Sequence, residues 1–388
     1  MEIENVFMNF FKLFGGDKMT LTTNFLGLPL KNPILVASGP WSRNASSIQK
    51  SIDAGAGAVV TETIALETGV NIRPRIFKNN GSLFNTMLYS SLALEQWENE
   101  FELIDKKDSH IICSIWGASP SEISYIATKV ERMGADAIEL SISAPIGAKN
   151  ENFFTNPNDI NKFVSAVVNS VSIPVTVKLS YNASLSSSIA SSIERAGALG
   201  ISAIDSLKAL QGVDIESQKS LMPTYGGYTG EHIRPISLAT IATLAQFTSC
   251  ELSGIGGINN FKNVLEYIML GASTIQIASA INLNGYGLIS QTINQLENWL
   301  IEHSYNNIND IKGVALKSLV PYEDIPVKNL KSRVLDGCTD VDCAKCYSCC
   351  IYDAIIKEDN KPKVIKELCT GCGLCVQMCS KCFELVWE

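Results

Sequence analysis

The stretch CELSGIGGINNFKNVLEYIMLGASTIQIASA, residues 250–280, decides the fold. Cys250–Gly254 is a short apolar run, Gly254-Ile255-Gly256-Gly257 a glycine turn, Phe261–Leu270 a helix-periodic segment and Ser273–Ala278 a second β-rich run. Strand, crossover helix and strand form the unit of a parallel sheet, because parallel neighbours cannot be joined by a tight hairpin. Outward from this stretch the unit repeats. Further strand-like runs stand at Pro33–Ser38, Ala58–Ile64, His110–Trp116, Ala135–Ser141, Ile173–Leu179 and Ile201–Leu207. Helical patterns lie near Ala45–Ala54, Ala93–Asp105, Pro120–Met133, Asn158–Val171, Ser184–Ala198, Ile236–Phe247 and Gly287–His303. Eight such units predict an α/β fold, a closed (β/α)₈ TIM barrel. An open doubly wound sheet is the rival, but its nucleotide fingerprint is missing, since Gly256-Gly257 runs on into Ile258 and Asn259 without the third glycine. Barrel chemistry sits at the C-terminal strand ends, so functional residues are sought there.

The remaining bulk properties narrow the classes. The chain has 388 residues, enough for one large domain and a small one, with 46% hydrophobic and 18% charged residues. A net charge of −8 argues against nucleic-acid binding. No apolar run is long enough to span a bilayer, and Met1–Gly16 lacks the features of a secretory signal. Val6, Phe7, Phe10, Phe11, Leu13 and Phe14 predict a short helix packed on the protein's own surface rather than a membrane helix, with only Lys12 and Lys18 as nearby cations. Of 12 cysteines only Cys113 and Cys250 precede Cys338. So dense a terminal cluster points to metal clusters in a reducing compartment, the cytoplasm, rather than to disulfides. The expected organisation is a helical extension at 1–20, the barrel at 21–310, a linker at 311–336 and a cysteine-rich, ferredoxin-like domain at 337–388.

Cys369-Thr-Gly-Cys372-Gly-Leu-Cys375-Val-Gln-Met-Cys379 has the C-x₂-C-x₂-C-x₃-C spacing of a [4Fe–4S] site, whose fourth cysteine ligates the other cluster of a pair. A zinc ribbon would want two separated CxxC pairs instead. The upstream set, Cys338, Cys343, Cys346, Cys349 and Cys350, allows two registers. Cys343, Cys346 and Cys349 form one regular triplet. Alternatively Cys346 and Cys350 are the x₃ pair, with Cys338 displaced from the position where Asp340 stands. Cys343-Ala-Lys-Cys346-Tyr347 and Cys369-Thr-Gly-Cys372 resemble the C-terminal ferredoxin domain of dihydropyrimidine dehydrogenases. That resemblance implies one cluster on Cys338, Cys343, Cys346 and Cys379 and another on Cys369, Cys372, Cys375 and Cys350, with Cys349 and Cys382 spare. Ser380 departs from the proline usual after the fourth cysteine.

Over roughly Leu21–Asn282 the chain resembles the dihydroorotate and dihydropyrimidine dehydrogenase superfamily of FMN barrels. The marks are Asn32-Pro33 leading to Ala37-Ser38-Gly39, then Thr61-Glu62-Thr63, Pro74-Arg75, Asn85, Lys178, Gly226-Gly227-Tyr-Thr229-Gly230, Gly256-Gly257 and Ala278-Ser279. The resemblance implies that Ala37, Ser38, Gly39 and Thr61 back the flavin and that Lys178 faces its pyrimidine end, where a cation stabilises the reduced anion. Gly227, Thr229 and Gly230 belong to the loop over the cofactor, and the turns at Gly256-Gly257 and Ala278-Ser279 hold its phosphate through backbone N–H groups.

The departures bear on the substrate. In the loop Ser141-Ile-Ser143-Ala144-Pro145-Ile146, Ala144 stands where the family carries its cysteine or serine base, and Ser141 and Ile146 replace pyrimidine-gripping asparagines. Ser114 replaces another, Asp205-Ser-Leu-Lys208 replaces the asparagine turn after strand six, and Glu62 replaces a lysine. Asn85 alone is retained. A site built to pair a polar ring rejects that ring once its partners change, which points to another small polar substrate. Asn85, Ser143 and Lys208 are the expected catalytic contacts, with Lys149 and Tyr89 as further proton donors. An ion pair of Lys208 with Glu62 is the bland alternative, Asn150–Thr155 the expected lid, and His232 the one histidine in a candidate site loop. The chain thus reads as an FMN- and iron–sulfur-dependent oxidoreductase with two [4Fe–4S] clusters. It exchanges electrons with a reductase subunit, ferredoxin or flavodoxin, and a homodimer is expected. A dihydroorotate or dihydropyrimidine dehydrogenase proper, and a non-catalytic electron-transfer subunit, are the alternatives.

Overall fold

The computed structural model describes residues 20–69, 72–79, 81–142, 146–147, 156–336, 345–359 and 361–387. The expected N-terminal helix therefore lies outside the described residues. The chain divides into two compact units, Met1–Ser318 and Leu319–Glu388.

The first unit is a closed barrel of eight parallel strands: β1 Ile34–Val36, β2 Ala58–Val60, β3 His110–Ile115, β4 Ala137–Ser141, β5 Val175–Leu179, β6 Gly200–Ala203, β7 Glu251–Ile255 and β8 Thr274–Ile277. Each strand pairs with its sequence neighbours, and β8 closes on β1 with Gln276 opposite Leu35. The helices of the eight units are α1 Ala45–Asp53, α2 Leu94–Glu102, α3 Pro120–Arg132, α4 Pro157–Val168, α5 Ser187–Arg195, α6 Arg234–Phe247, α7 Phe261–Met269 and α8 Gly287–Glu302. Local chemistry sets their starts. Ser119 caps α3 by accepting from the Glu122 N–H, with Pro120 in the first turn, where its missing N–H costs nothing. The buried face of α3 is Ile123, Ile126, Ala127 and Val130, the spacing of one helical stripe. Burying each of its larger side chains stabilises the unit by about 1.5–3 kcal/mol.

Strand alternation divides the barrel interior into two unlike halves. Leu35, Ala58, Val60, Ile112 and Ala137, from β1 to β4, pack with Phe25, Leu26 and Leu30 of an N-terminal hairpin, Thr23–Phe25 against Leu28–Leu30. The hairpin plugs the floor: the Leu26 N–H donates to Glu251 at the start of β7, 2.5 Å away, and a Cβ on Gly200 would meet Leu26 Cδ2 at 2.6 Å. From β4 onward the buried interior turns polar, with Glu139, Thr176, Lys178, Ser202, Ser253, Thr274 and Gln276. Gln276 donates to Glu139 at 2.7 Å and to Ser202 at 3.1 Å.

A second sheet, unforeseen in the sequence, joins Leu207–Ala209, Gly226–Gly230, Ser82–Asn85 and Ile76–Asn79 in antiparallel order. The run Ile201–Leu207, expected as one strand, is two pieces. β6 stops at Ala203 and Leu207 opens a strand of this other sheet.

The expected linker 311–336 also needs correction. Ile308–Ile311 is a buried 3₁₀ turn of the first unit, and Val314–Ser318 is another. Leu330–Val334 is a strand of the second unit, antiparallel to Phe383–Trp387. That unit also holds the hairpin Ile355–Glu358 with Lys361–Val364 and the short helices Lys345–Cys349 and Leu374–Met378.

Candidate active site and cluster-binding tail

At the C-terminal strand ends the first unit encloses a cavity of about 590 Å³. Its wall includes Ala37, Ser38, Gly39, Asn85, Lys178, Lys208, Gly227, Thr229, Gly230, Gly256, Gly257, Ala278 and Ser279, which brings together most of the residues singled out in the sequence. Thr61 is not on the wall. It is fully buried, its hydroxyl accepting from the Ser114 N–H at 3.1 Å. Ser143, Ala144, Lys149 and the expected lid at 150–155 lie outside the described residues. His232 is exposed and off the wall, paired with the Ser82 hydroxyl at 2.6 Å.

The second sheet supplies what the barrel strands do not. Asn85 stands opposite Gly227, its amide donating to the Gly227 carbonyl at 3.3 Å, so the sheet itself orients this side chain. Lys208 lies on the same sheet, its ammonium 4.3 Å from the Tyr225 ring centroid. Lys208 and Glu62 both reach the wall. Tyr89 and Trp116 stack with centroids 4.7 Å apart and form an aromatic side of the cavity.

Lys178 projects from β5 and is 8% exposed. Asp205 stands 3.7 Å from its ammonium and Glu139 3.9 Å. Burial pulls its pKa down, yet the two carboxylates outweigh that and hold it above the ordinary lysine value. Glu62, at the end of β2, has the opposite balance. Burial pushes its carboxyl up to about 7, although the Ser90 hydroxyl and the charges of Arg75 and Arg43 favour the anion. Burial likewise drives the Tyr89 phenol upward, so it stays protonated.

The wall suits a flavin. It offers a buried cation, and the indole N–H of Trp116 is buried without a partner among the described residues, a donor left for an occupant. Gly257 sits at φ +67°, and a Cβ there would meet the Gly230 carbonyl at 2.9 Å and Arg234 Cβ at 2.8 Å, so only glycine lets this turn close.

In the second unit, Cys349, Cys350, Cys369, Cys372 and Cys375 line one small cavity. Cys349, set apart as a spare in the sequence reading, thus shares that wall with Cys350. Backbone and hydroxyl groups already point at the sulfurs: the Ser332 N–H donates to Cys369 Sγ at 3.3 Å, and its hydroxyl lies 3.2 Å from Cys375 Sγ. Gly371, at φ +69°, lies so close to Leu330 that a Cβ would meet its carbonyl oxygen at 2.1 Å. Cys346, Cys375 and Cys382 pack with Ile355 and Phe383 in the buried centre, and Cys379 hydrogen-bonds Cys382. Cys338 and Cys343 lie outside the described residues. No described group of three ligands converges on a single ion.

Residues 20–300 match the family described as dihydroorotate dehydrogenase, and residues 362–380 match the 4Fe-4S binding domain. The chain is 33% identical over 304 residues to the catalytic subunit of dihydroorotate dehydrogenase B (NAD(+)) of Pyrococcus horikoshii, covering 77% of this chain and 99% of that protein. The corresponding subunit of Thermoplasma volcanium is 32% identical over 300 residues, covering 76% and 99%. Subunit PreA of the NAD-dependent dihydropyrimidine dehydrogenase of Escherichia coli K12 is 29% identical over 359 residues, covering 86% of this chain and 85% of that protein. No helix among the described residues is long and apolar enough to cross a membrane.

Proposed function

The chain belongs to the dihydroorotate dehydrogenase family, flavin-dependent oxidoreductases acting on CH–CH bonds, and from that premise we propose that it oxidises or reduces a small polar substrate other than a pyrimidine. The observation that carries this reading is the cavity wall. Ser141, Ile146 and Asp205 present a hydroxyl, an alkyl group and a carboxylate where a pyrimidine reader needs amides. Asn85 and Lys178 remain on the wall beside them.

Bound FMN supplies hydride exchange with the substrate and joins two-electron to one-electron chemistry. Lys178 would hold the cofactor's electron-rich end, kept charged by Asp205 and Glu139. The backbone at Gly256-Gly257 and Ala278-Ser279 would hold its phosphate, with Ala37, Ser38 and Gly39 behind it and Gly227, Thr229 and Gly230 above. Asn85, fixed by its bond to Gly227, orients the substrate, and Tyr89 with Trp116 walls it against water. Lys208 contacts it from the sheet side, and Ser143, outside the described residues, is the further contact proposed.

The tail, in this reading, carries two [4Fe–4S] clusters. One takes Cys369, Cys372, Cys375 and Cys350, and the other Cys338, Cys343, Cys346 and Cys379. They pass electrons to or from a partner of the reductase-subunit, ferredoxin or flavodoxin class, and the protein works as a homodimer in the cytoplasm.

Anaerobic stopped-flow mixing tests the proposal. Flavin reduction by neither dihydroorotate nor dihydrouracil, together with reoxidation of the reduced flavin by a different unsaturated compound, is the expected result. Fast reduction by dihydroorotate or dihydrouracil would make it a pyrimidine enzyme after all. Flavin that exchanges electrons with protein partners alone would make it a carrier subunit.

A further inference from the structure

We propose that Glu62 is the residue that exchanges the substrate's proton in this cavity, an inference that rests on the flavin dehydrogenase reading above. Making a carbon–carbon double bond from a CH–CH unit removes two hydrogens in unlike forms. One carbon gives up a hydride, carrying both electrons, to the flavin. Its neighbour gives up a proton, whose C–H electron pair becomes the new π bond, and the Glu62 carboxylate takes that proton to become a carboxylic acid. In the reverse direction the acid returns the proton as hydride reaches the other carbon.

Among the titratable groups of the wall, Glu62 alone combines burial with freedom from an ion pair among the described residues. The wall's described titratable groups are Glu62, Tyr89, Lys178, Tyr181, Asp205 and Lys208, of which Tyr181 packs against the barrel's hydrophobic core. Lys178 and Asp205 are bound to each other, and Lys178 also to Glu139. Lys178 is buried, and the two carboxylates beside it make its charge tolerable there. Tyr89 is stacked on Trp116 and held protonated by burial. Lys208 is exposed and rests over Tyr225. Glu62 differs from all of these: it is 6% exposed, opens on the cavity, and has no ion-pair partner within 4.0 Å among the described residues.

Its surroundings tune it. The Glu62 N–H donates to the Ser42 carbonyl at 3.1 Å, and the adjacent Thr63 hydroxyl is tied to Ser114 at 2.9 Å and to Ser38 at 3.2 Å, which fixes the backbone that presents the carboxyl. The charged groups around it are Arg43, just beyond the β1 loop, and Arg75, in the loop before Ile76. Both act at a distance, and Ser90 adds a hydrogen bond. Burial outweighs these three and leaves acid and anion both populated near neutrality, the condition under which one group can both take and give a proton.

Two measurements on purified holoenzyme test this. The first is the flavin visible spectrum followed against pH. The parent protein should show an inflection near 7, as Glu62 changes charge at the cavity wall, and Glu62→Gln should abolish it. The second is anaerobic flavin reduction by dihydrouracil and dihydroorotate as probe donors. With either donor active, the parent rate should climb as pH passes upward through 7 and the carboxylate forms. Glu62→Gln should be slower by about 10²–10⁴ and flat with pH, and Glu62→Asp should recover the slope in part. If neither donor reduces the flavin, the same pH series is run on chemically reduced enzyme reoxidised by the unsaturated compound found in the stopped-flow trials, where the parent rate should fall as pH rises through 7 and Glu62→Gln should be slower and flat. Flavin and iron contents check that each variant is folded. A flavin-containing Glu62→Gln protein whose pH behaviour matches the parent overturns the role of Glu62 and leaves the flavin reading standing. A parent protein without flavin overturns that reading itself, and this inference with it.

Discussion

In the barrel, Ile34, Leu35, Val36, Val59 and Val60 are wholly buried, and the cofactor cavity is built on top of a finished hydrocarbon core. In the tail, the buried centre is Cys346, Cys375 and Cys382 with Ile355 and Phe383, so that centre includes two of the proposed iron ligands, Cys346 and Cys375. One unit can fold first and take up its redox group afterwards. The other buries few apolar side chains, which predicts that its folding is coupled to metal binding.

The widest gap between the two should appear on losing a ligand. Cys375→Ser is expected to remove about half of the cluster iron and to lower the melting temperature of the tail, while the far-ultraviolet circular dichroism of the barrel persists. Full iron content in that variant would break the contrast. The converse is a cut in hydrocarbon alone. Leu296→Ala empties a fully buried position of α8 and should cost the barrel about 2–5 kcal/mol in denaturant unfolding, with cluster absorbance unaltered at low denaturant.

The barrel's two charged wall residues refine the comparison. Glu62 has a folded pKa of about 7 against an ordinary 4.5, so the fold prefers its neutral form. The resulting destabilisation is absent below the ordinary value, grows as pH rises through this window and levels off above 7. Glu62→Gln should therefore stabilise the protein by up to about 3 kcal/mol at pH 8 and hardly at all at pH 4, read from paired thermal melts. Lys178→Ala should weaken FMN retention by about ten- to a hundredfold, the worth of hydrogen bonds to a charged group, measured by ultrafiltration of the released flavin. An unchanged flavin content and potential would remove Lys178 from the cofactor site. The smallest effect belongs to the tail's adjacent thiols. Because Cys349 lines the same cavity as Cys350, Cys350→Ser should retain its iron through the neighbouring thiol and differ only in electron paramagnetic resonance line shape, while Cys349→Ser should match the parent.

The same contrast explains what the sequence disclosed. Barrel strands repeat a local unit, so the eight runs and their helices were legible to within a few residues at each end. Ile201–Leu207 misled because an apolar run does not reveal where the chain leaves one sheet for another. The antiparallel sheet that carries Asn85 and Lys208 escaped because its strands are short and come from distant parts of the chain. Its one local signal was Asn80-Gly81, the pair favoured in two-residue hairpins, between strands that register Asn79 with Ser82. Most of the cavity wall could be named in advance, since those residues fall at strand ends or in glycine turns. Thr61 could not be sorted from Glu62 and Thr63, because which neighbour faces inward is set by how the loop leaves β2. In the tail the spacing of Cys369 to Cys379 fixed the motif, whereas the choice between Cys349 and Cys350 depends on the turn of a five-residue helix.

The stoppered floor at Leu26 has a kinetic corollary. A flask with its base sealed fills and empties through its neck, so reactant and product must take turns there. Initial-rate plots against two diffusing reactants would then be parallel lines, unless the second party sends electrons rather than molecules, for which no doorway is needed.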